Sequence, residues 1–513
     1  MRFSALTNSD KDYVIGIYNT ESSKLSAQSI IAEKYGTTTR TIRNWAKRLG
    51  LSGTQEADEV MLTAESREIK GNRYMFTWGQ ISTPVHKEFF KYMKDYADHI
   101  DAKIGVIAGR YNNSKSKYRR ENNEEWWDED IVNFLTLNRH NVHKYVSILA
   151  DVETPPTASM PMTGFEGFES EVSIVIGHPR VQMKVVPTLE GYRKKEIFTT
   201  GACTVPNYIK KKVGKKAEFH HTLGFVVIET DGDEFYMRHV TANEDGSFID
   251  LDTRVDHEGI TQGDNVELYA CGDKHFGETD PEMELAGRAM ILKLKPDYVR
   301  LDDIFNGHSV NPHEDKDPIQ KYQRHLAGEL SLKMELFKLR TELQWYDRKN
   351  FRVVIPRCNH DIFLDRYIAG QDWKKDIPNA LSYMESATLL LRGLAPKGLI
   401  PYYIGEWYPD MITLSDNQSF RVGLWEQATH GHIGSSGTRG SVIQFKRLST
   451  KMITAHTHTP SRYDGVVTVG TNTLLRVGYN KGASGWAHCD AITHRNGKAQ
   501  QLIFHGYKCS TMI

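Results

Sequence analysis

The sequence has few cysteines, and their spacing excludes a disulfide framework and a zinc finger. Among 513 residues there is no C-x-x-C pair, and the five cysteines are Cys203, Cys271, Cys358, Cys489 and Cys509. Thiols this sparse do not form a disulfide framework or a zinc finger. They indicate reduced side chains in a cytoplasmic protein.

The sequence also lacks a long apolar run and an excess of charge of either sign. No stretch of about 18 apolar residues occurs, and the opening MRFSALTNSDKDYV has no signal-peptide core. We therefore expect a cytoplasmic protein with no membrane partner. Lysine plus arginine and aspartate plus glutamate both number 65, so any affinity for nucleic acid has to come from local basic patches.

The composition that is present, 39% hydrophobic and 25% charged, is typical of a globular protein. A chain of 513 residues is longer than one hydrophobic core usually supports. Changes of pattern along the chain predict four segments. They are a helical module at 1–52, a linker at 53–72, an α/β accessory domain with a β-rich second half at 73–258, and a C-terminal α/β domain at 259–513.

Residues 1–52 have the pattern of short amphipathic helices joined by a tight turn. Gly36 ends the first helix, and threonines at 37–39 offer a cap for the second, whose apolar face includes Ile42 and Trp45. This pattern resembles a helix-turn-helix, in which the second helix would enter a DNA major groove. Its candidate DNA-binding residues are Arg40, Arg43, Asn44 and Lys47. The alternative is a small helical bundle for protein contact or for assembly into a homo-oligomer.

The segment 73–258 alternates between strand and helix patterns before it becomes β-rich. The runs YMFTWGQ and KIGVIAGRY flank an amphipathic helix pattern, which predicts a β-α-β unit. A further helix is predicted around 126–137. Five lysines between 210 and 216 form a basic loop that could contact phosphates, although a solvated lysine run is the more ordinary interpretation. Farther along, apolar residues at helical intervals predict one long surface helix over 314–350.

Five polar clusters follow short apolar runs in the C-terminal segment. Because each run is β-like, we expect all five clusters on loops at one edge of a sheet. Their carboxylate, imidazole and amide groups suffice for two metal ions. The clusters are Asp273 and His275; Asp302 and Asp303; Asn359, His360 and Asp361; His430 and His432; and His456 and His458. The alternatives are polar residues that satisfy loop ends, or a degenerate site that no longer turns over.

In this order the clusters resemble the signature of the calcineurin-like metallophosphoesterase superfamily: D-x-H, G-D-x-x-D, G-N-H-D or E, a single His, and G-H-x-H. The resemblance extends from Gly263 to Gly506. It implies an α/β (α+β) fold in which a calcineurin-like β-sandwich is flanked by helices. No expected metal ligand is missing, but four positions depart from the signature. Asp302, Cys358 and Ala455 stand where Gly is usual, and Asn306 stands where a second Asp is usual.

Carried onto this sequence, the resemblance implies two metal sites that share one carboxylate. His360 would be the general acid, or would stabilise the leaving oxygen, and Asp361 would orient it. Both His430 and His432 fit the fourth motif, and His430 is preferred because it directly precedes Gly431. The implied first site is Asp273, His275, Asp303 and His458, and the implied second site is Asp303, Asn359, His430 and His456.

The implied chemistry is phosphoester hydrolysis by two divalent cations that share a phosphate and a bridging hydroxide nucleophile. Imidazole together with carboxylate and amide oxygen favours Mn²⁺, with Fe, Zn or Mg as alternatives. The helix-turn-helix pattern, the lysine run, and Arg439 and Arg447 favour a DNA backbone as the substrate.

The whole layout therefore resembles the SbcD-type nuclease branch of the superfamily, and within it a phage-encoded pre-early DNase that would act in the cytoplasm of the host. Two alternatives stay open at this point. One is a phosphomonoesterase or protein phosphatase of the same superfamily. The other is a non-enzymatic DNA-binding regulator with a degenerate metal site.

Overall fold

The computed structural model of the chain describes residues 3–20, 24–49, 69–120, 124–312, 317–348, 350–370, 373–477 and 480–512. Most of the linker predicted at 53–72 lies outside these ranges. The side chains of Arg40, Arg43 and Lys47 lie outside the description as well, so Asn44, which is exposed, is the candidate DNA-binding residue whose side chain is described. The described chain is a mixed α/β protein with several sheets.

Three N-terminal helices pack around one small apolar core. They are α1 (Asn8–Thr20), α2 (Lys24–Lys34) and α3 (Thr39–Arg48). Gly36, with φ 55°, follows α2, and the hydroxyl of Thr38 accepts a hydrogen bond from the backbone N–H of Thr41 at 3.3 Å, which caps α3. The core of this module consists of the buried residues Leu6, Val14, Ile31, Ala32, Ile42 and Trp45.

Strands and loops form most of residues 69–262. The helices here are α4 (Lys87–His99), α5 (Glu129–Val132) and α6 (Lys212–Phe219). The strands are β1 (Arg73–Gln80), β2 (Lys103–Gly109), β3 (Leu135–Thr136), β4 (His140–His143), β5 (Val146–Ile148), β6 (Ser173–Ile176), β7 (Gln182–Val186), β8 (Lys195–Thr199), β9 (Gly224–Asp231), β10 (Glu234–Thr241), β11 (Phe248–Asp250), β12 (Thr253–Asp256) and β13 (Gly259–Gln262).

Residues 266–512 alternate strands with longer helices. The helices are α7 (Pro281–Leu294), α8 (Pro318–Leu326), α9 (Leu332–Leu343), α10 (Asp361–Gly370), α11 (Ala380–Leu391), α12 (Leu399–Trp407) and α13 (Val442–Phe445). The strands are β14 (Val266–Ala270), β15 (Tyr298–Arg300), β16 (Arg352–Ile355), β17 (Ile412–Thr413), β18 (Arg421–Val422), β19 (Trp425–Glu426), β20 (Lys451–Thr454), β21 (Ser461–Tyr463), β22 (Val466–Thr468), β23 (Cys489–His494) and β24 (Ala499–Ile503). Among the described helices, none combines the length and apolarity that crossing a membrane requires.

The β-α-β unit predicted after residue 73 is present as β1, α4 and β2. It belongs to a five-stranded sheet with the order β10-β9-β1-β2-β3, in which β1, β2 and β3 run parallel. The helix α4 covers one face of this sheet because Phe89 and Met93 are buried in the same cluster as Met75 and Val106. The antiparallel sheet β11-β12-β13 adds Phe248 to that cluster.

The largest sheet joins the two segments that the sequence divides at residue 258. Its ten strands have the order β18-β19-β20-β22-β21-β7-β8-β6-β5-β4. At its middle, β21 pairs antiparallel with β7, with Ser461 opposite Lys184 and Tyr463 opposite Gln182. Backbone hydrogen bonds therefore run directly between residues of the predicted accessory and C-terminal segments.

The six-stranded sheet positions most of the candidate ligands. Its order is β17-β16-β15-β14-β23-β24, and β14 to β17 run parallel. One face packs on the ten-stranded sheet, since Leu268 of β14 lies in one buried cluster with Ile453 of β20 and Val467 of β22. Helices cover the other face, where Ile291 of α7 and Leu364 of α10 are buried. Two facing sheets with helices outside form a layered α/β arrangement.

Three local predictions differ from the structure. The helix predicted around 126–137 is the short α5 followed by β3, because Leu135 pairs in parallel with Val106 of β2. The helix predicted over 314–350 is two helices, α8 and α9, with Gly328 at φ 73° between them. The lysine run at 210–216 is partly helical, since α6 begins at Lys212.

Candidate metal centre

The candidate ligands meet at one edge of the two large sheets. In the six-stranded sheet β14, β15 and β16 are adjacent and parallel, so their carboxyl ends lie side by side. In the ten-stranded sheet β19 and β20 are parallel neighbours. The loops that follow these five strands carry, in chain order, Asp273, His275, Asp303, Asn359, His430, His456 and His458.

The first group of ligands is fully buried and contains Asp273, His275, Asp303 and His458, whose potential ligand atoms all lie within 4.8 Å of one another. Nε2 of His458 is 3.0 Å from Oδ2 of Asp273 and 3.2 Å from Nε2 of His275. Nε2 of His275 is 3.7 Å from Oδ2 of Asp303. These are the four residues for which the resemblance implies the first metal site.

The second group contains Asp303, His430 and His456, again within 4.8 Å. Asn359 joins it, because its Oδ1 is 2.9 Å from both Nε2 of His430 and Nδ1 of His456. Nε2 of His430 is 3.2 Å from Oδ2 of Asp303. Asp303 therefore lies between the two groups and is placed to contribute its carboxylate to both, as a dinuclear site requires.

The backbone at this edge adopts unusual conformations. Non-glycine residues rarely have positive φ angles, yet four candidate ligands do. Such strain is concentrated at functional sites. Gly272 allows the ligand loop to approach a neighbouring loop closely, because a Cβ atom there would lie 2.9 Å from the backbone of Thr471. The four φ angles are 39° at His275, 43° at Asp303, 72° at His456 and 55° at His458.

The charged groups of the centre shift one another's protonation. Burial raises the pKa of Asp273. Burial alone would also raise the pKa of Asp303, but the neighbouring His430 and His360 hold that pKa well below its usual range. Burial likewise opposes protonation of His430, yet the carboxylate of Asp303 raises the pKa of His430 well above its usual value. Asp303 and His430 thus stabilise each other's charged forms. Burial lowers the pKa of His275 well below its usual value and that of His456 to about 4, which leaves these two rings neutral, the form in which imidazole binds a metal ion.

A buried atom without a partner also fits a cation. Oδ1 of Asp273 is buried, and the structure gives it no hydrogen-bond partner among the described residues. Buried carboxylate oxygens are seldom left in this state, and a bound ion is one of the recognised explanations. Carboxylate, imidazole and amide oxygen together are ligands that divalent transition metals accept. The residues present therefore fit a metal centre.

A third group, Asp302, Cys358 and His430, meets the same distance limit, but its charges do not suit a cation. Arg300 donates to both carboxylate oxygens of Asp302, from Nε at 2.7 Å and from Nη2 at 2.9 Å. Burial raises the pKa of Cys358 well above its usual value, so its sulfur stays a thiol. A guanidinium on the carboxylate repels a further cation. We therefore assign no metal ion to this third group and infer that Asp302 and Cys358 support the centre.

His360 lies beside the first group, with its ring centroid 4.4 Å from that of His275. Its Nδ1 is 2.9 Å from the backbone carbonyl of Asn306, so Nδ1 donates and Nε2 is left for a substrate. The sequence predicts Asp361 as the orienting partner, but Oδ2 of Asp361 accepts from the backbone N–H of Cys358 at 3.2 Å. Asp361 is the first residue of α10, and its side chain contacts the loop that precedes this helix. Burial raises the pKa of Asp361 to about 8.

His430, rather than His432, has its ring in the second group. The ring centroid of His432 is 5.4 Å from that of His430 and 6.0 Å from that of His456. Gly431, with φ 123°, turns the chain between the two histidines. Both ring nitrogens of His432 are buried, with no hydrogen-bond partner in the part of the chain that the structure describes. His432 therefore lines the second group without belonging to it.

Several residues that hold the ligand loops are missed by sequence reasoning. Lys274, between two candidate ligands, is buried, and its Nζ is 2.6 Å from Oε2 of Glu284 on α7. Tyr346 donates to the other oxygen of Glu284 at 2.6 Å. Asp490 accepts from the backbone N–H of Gly272 at 2.7 Å. The sequence offers a signal only for Asp490, which is a charged residue between the apolar residues Cys489 and Ala491. This signal does not identify its partner.

Comparison with known proteins links the chain to a phage protein. The chain is 30% identical over 480 residues to Protein A1 from Escherichia phage T5, and the alignment covers 88% of this chain and 86% of that protein. No family model matches the chain. No solved structure matches it either. The similarity therefore extends over most of both proteins, whereas the name of the relative states no activity.

Proposed function

The chain belongs to the family of Protein A1 of Escherichia phage T5, and we propose that it is a phage-encoded, metal-dependent phosphodiesterase that hydrolyses DNA. The observation that carries the proposal is the position of Asp303 between two groups of candidate ligands. We place the chain in the calcineurin-like superfamily near the SbcD-type nucleases. Residues 259–513 would form the catalytic domain, 73–258 the accessory domain, and the host cytoplasm would be the site of action.

The proposed centre divides the ligands between two ions. When bound, two divalent cations, with Mn²⁺ preferred, would neutralise charge on the phosphate and generate the attacking hydroxide. The carboxylate of Asp303 would be shared by both ions. The amide of Asn359 completes the second group without another negative charge, which would repel the phosphate. The proposed first site is Asp273, His275, Asp303 and His458, and the second is Asp303, Asn359, His430 and His456.

His360 is the proposed catalytic residue for the leaving oxygen. The carbonyl of Asn306 holds Nδ1 at 2.9 Å, which fixes the ring and leaves Nε2 to donate to that oxygen when the ring is protonated. Burial lowers the pKa of His360, and the negative charge of a bound phosphate would favour its protonated form. Asp361 supports the loop through Cys358.

Features outside the centre support DNA as the substrate. We propose that α2 and α3 form a helix-turn-helix, since a short turn at 35–38 joins them and Asn44 of α3 is exposed whereas Ile42 and Trp45 are buried. Exposed cationic residues outside these helices could contact other phosphates of the DNA backbone. The proposed DNA-binding residues are Arg40, Arg43, Asn44 and Lys47. The exposed cationic residues considered elsewhere in the chain are Lys212, Lys215, Lys216, Arg439 and Arg447.

Plasmid cleavage across divalent cations tests the proposal. We expect the purified protein to degrade plasmid DNA with Mn²⁺, and Asp303→Asn to abolish cleavage because it weakens both metal groups. The matched control is Asp297→Asn at the opposite end of β15, where Asp297 is 47% exposed and pairs with Arg495 at 2.7 Å. This control should cleave like the unaltered protein.

Two other results would contradict the proposal and indicate a different function. Turnover of p-nitrophenyl phosphate without cleavage of DNA would indicate a phosphomonoesterase or protein phosphatase. DNA binding without hydrolysis of either substrate, with any of Mn²⁺, Fe²⁺, Zn²⁺ or Mg²⁺, would indicate a regulator with a degenerate metal site.

A further inference from the structure

We propose that Asp302 is a positioning residue: locked by Arg300, it accepts the Nδ1 proton of His430 and so directs the Nε2 lone pair of His430 toward Asp303 and Asn359. This inference rests on the proposed function for the assignment of a metal ion to the second group. The superfamily signature has Gly in place of Asp302, so the motif itself assigns this carboxylate no role.

Arg300 restricts Asp302 to one orientation. Arg300 is completely buried at the end of β15. Its Nε and Nη2 donate to the two oxygens of Asp302 at 2.7 and 2.9 Å. Nη1 also donates to the carbonyl of Ile453 at 2.6 Å, and Nη2 to that of Thr429 at 3.2 Å. A planar guanidinium bonded on several edges cannot rotate without breaking these bonds, so the carboxylate is fixed with it.

The fixed carboxylate determines which nitrogen of His430 carries a proton. Oδ1 of Asp302 is 3.0 Å from Nδ1 of His430. An ionised carboxylate can only accept hydrogen bonds, so Nδ1 is the protonated nitrogen and a neutral ring has its lone pair on Nε2. Nε2 lies 2.9 Å from Oδ1 of Asn359 and 3.2 Å from Oδ2 of Asp303. A carboxylate behind a histidine ligand fixes the tautomer and raises the basicity of the ligand.

The same contacts connect the two sheets that supply the ligands. Arg300 belongs to the six-stranded sheet, whereas Ile453 lies on β20 of the ten-stranded sheet and Thr429 directly precedes His430. Loss of Asp302 could therefore act through general stability alone. A structural ion pair would affect unfolding and both metal affinities together, whereas a positioning residue affects the affinity of the second group selectively.

Binding of Mn²⁺ separates these two roles without reference to activity. We expect Asp302→Ala to weaken one of two Mn²⁺ affinities by about 10- to 100-fold, the range found for residues behind metal ligands, and to leave the other unchanged. Asp302→Asn, which keeps an oxygen acceptor, should have a smaller effect. Titration calorimetry gives both affinities, and the electron paramagnetic resonance spectrum of Mn²⁺ reports whether the bound ions form a coupled pair. The matched control is Asp250→Asn, because Asp250 is equally buried and also pairs with an arginine, Arg238, but its other side-chain hydrogen bonds go to Tyr96 and Gln500.

A double-mutant comparison ties the effect to His430. If Asp302 acts through His430, then Asp302→Ala adds no further loss of affinity in a His430→Ala background. Since Asp302→Ala leaves the charge of Arg300 unpaired, the variant that combines Arg300→Gln with Asp302→Asn provides a neutral replacement should the single variant fail to fold. It should also lose affinity for one ion, because an amide that Arg300 no longer holds can turn either its oxygen or its NH2 group toward Nδ1 of His430.

Unchanged affinity for both ions in a folded variant of Asp302 would overturn the inference. An equal decrease in the affinities for both ions would overturn it as well. In either case cleavage of DNA by the unaltered protein would leave the proposed function standing. Selective loss of one ion in a protein that never cleaves DNA would have the opposite meaning: the positioning role would hold, and the proposed function would fail.

Discussion

His360 differs from the other histidines of the centre in what holds its ring. Its Nδ1 contacts a backbone carbonyl, that of Asn306, rather than a carboxylate or another candidate ligand. Its ring is 4.4 Å from that of His275, but it belongs to neither ligand group. A residue placed next to the candidate ligands but outside both groups is suited to act on a substrate rather than to bind metal.

Replacing His360 with alanine should therefore slow hydrolysis and leave the metal content unchanged. We expect kcat to fall by about 10²- to 10⁴-fold, the usual contribution of a general acid, with little change in KM. Steady-state kinetics with a DNA oligonucleotide, whose alkoxide leaving group depends on protonation, and elemental analysis of the same preparation check this. The matched control is His257→Ala, because the side chain of His257 is 78% exposed on the surface. A variant of His360 that has lost metal would contradict the assignment.

The residues that could be predicted from the sequence are those with a local signal. Asp273 and Asp303 lie in the loops that begin at the ends of β14 and β15, and the parallel order of those strands brings them to one edge. Arg300 and the carbonyl of Asn306 carry no such signal. Their roles depend on partners such as His360 that are distant in the sequence, and only the folded chain defines those contacts.

At the level of elements, α7 holds the first ligand loop in place. Lys274 separates Asp273 from His275 in sequence, and its ammonium bonds Glu284 of α7 at 2.6 Å. Burial would raise the pKa of Glu284, but Lys274 lowers it to about 2. Because both side chains are buried, removal of the carboxylate of Glu284 leaves the ammonium of Lys274 without this ion pair in a poorly solvated position.

We expect Glu284→Gln to destabilise the protein by about 3–5 kcal/mol near neutral pH, as is usual when one partner of a buried ion pair is removed. The pKa of Glu284 is lower in the folded chain, so its stabilisation is present above its usual pKa of 4.5 and disappears as the pH falls toward about 2. Urea unfolding at a series of pH values should show the difference from the unaltered protein shrinking over that range. Glu282→Gln on the same helix is the control, because Glu282 is exposed. A difference that stays constant with pH would refute the assignment.

The prediction of one long helix over 314–350 was wrong because a turn divides the segment into two helices. Over 314–350 the apolar residues at helical intervals are Leu326, Leu330, Met334, Phe337 and Leu343. Leu343 is buried, but Leu326, Met334 and Phe337 are 68%, 56% and 62% exposed. Gly328 ends the first helix, and the second begins with a different face inward, so that Leu339 is buried. Periodicity identifies helical segments reliably, but the face that is buried depends on where each helix starts.

At the scale of the whole molecule, residues on both sides of position 258 form one structure. Besides the pairing of β21 with β7, the buried cluster around Phe198 of β8 includes Cys489 of β23 and Ile503 of β24. Strand pairing and side-chain packing thus both cross the predicted boundary. By contrast, the core of α1 to α3 contains residues only from the N-terminal module, of which Trp45 is the largest.

Two truncations should therefore behave differently. The fragment 69–513 keeps every sheet and should unfold in one cooperative transition at nearly the temperature of the whole chain, with unchanged affinity for Mn²⁺. The fragment 259–513 keeps the candidate ligands, but it leaves β21 as an open edge without β7 and exposes the apolar cluster around Cys489. Exposed strand edges and apolar surface promote aggregation, so we expect this fragment to be insoluble or to lack a cooperative transition. Calorimetry and size-exclusion chromatography distinguish the cases, and a stable, monomeric 259–513 that binds Mn²⁺ would show that the shared sheet is dispensable for the centre.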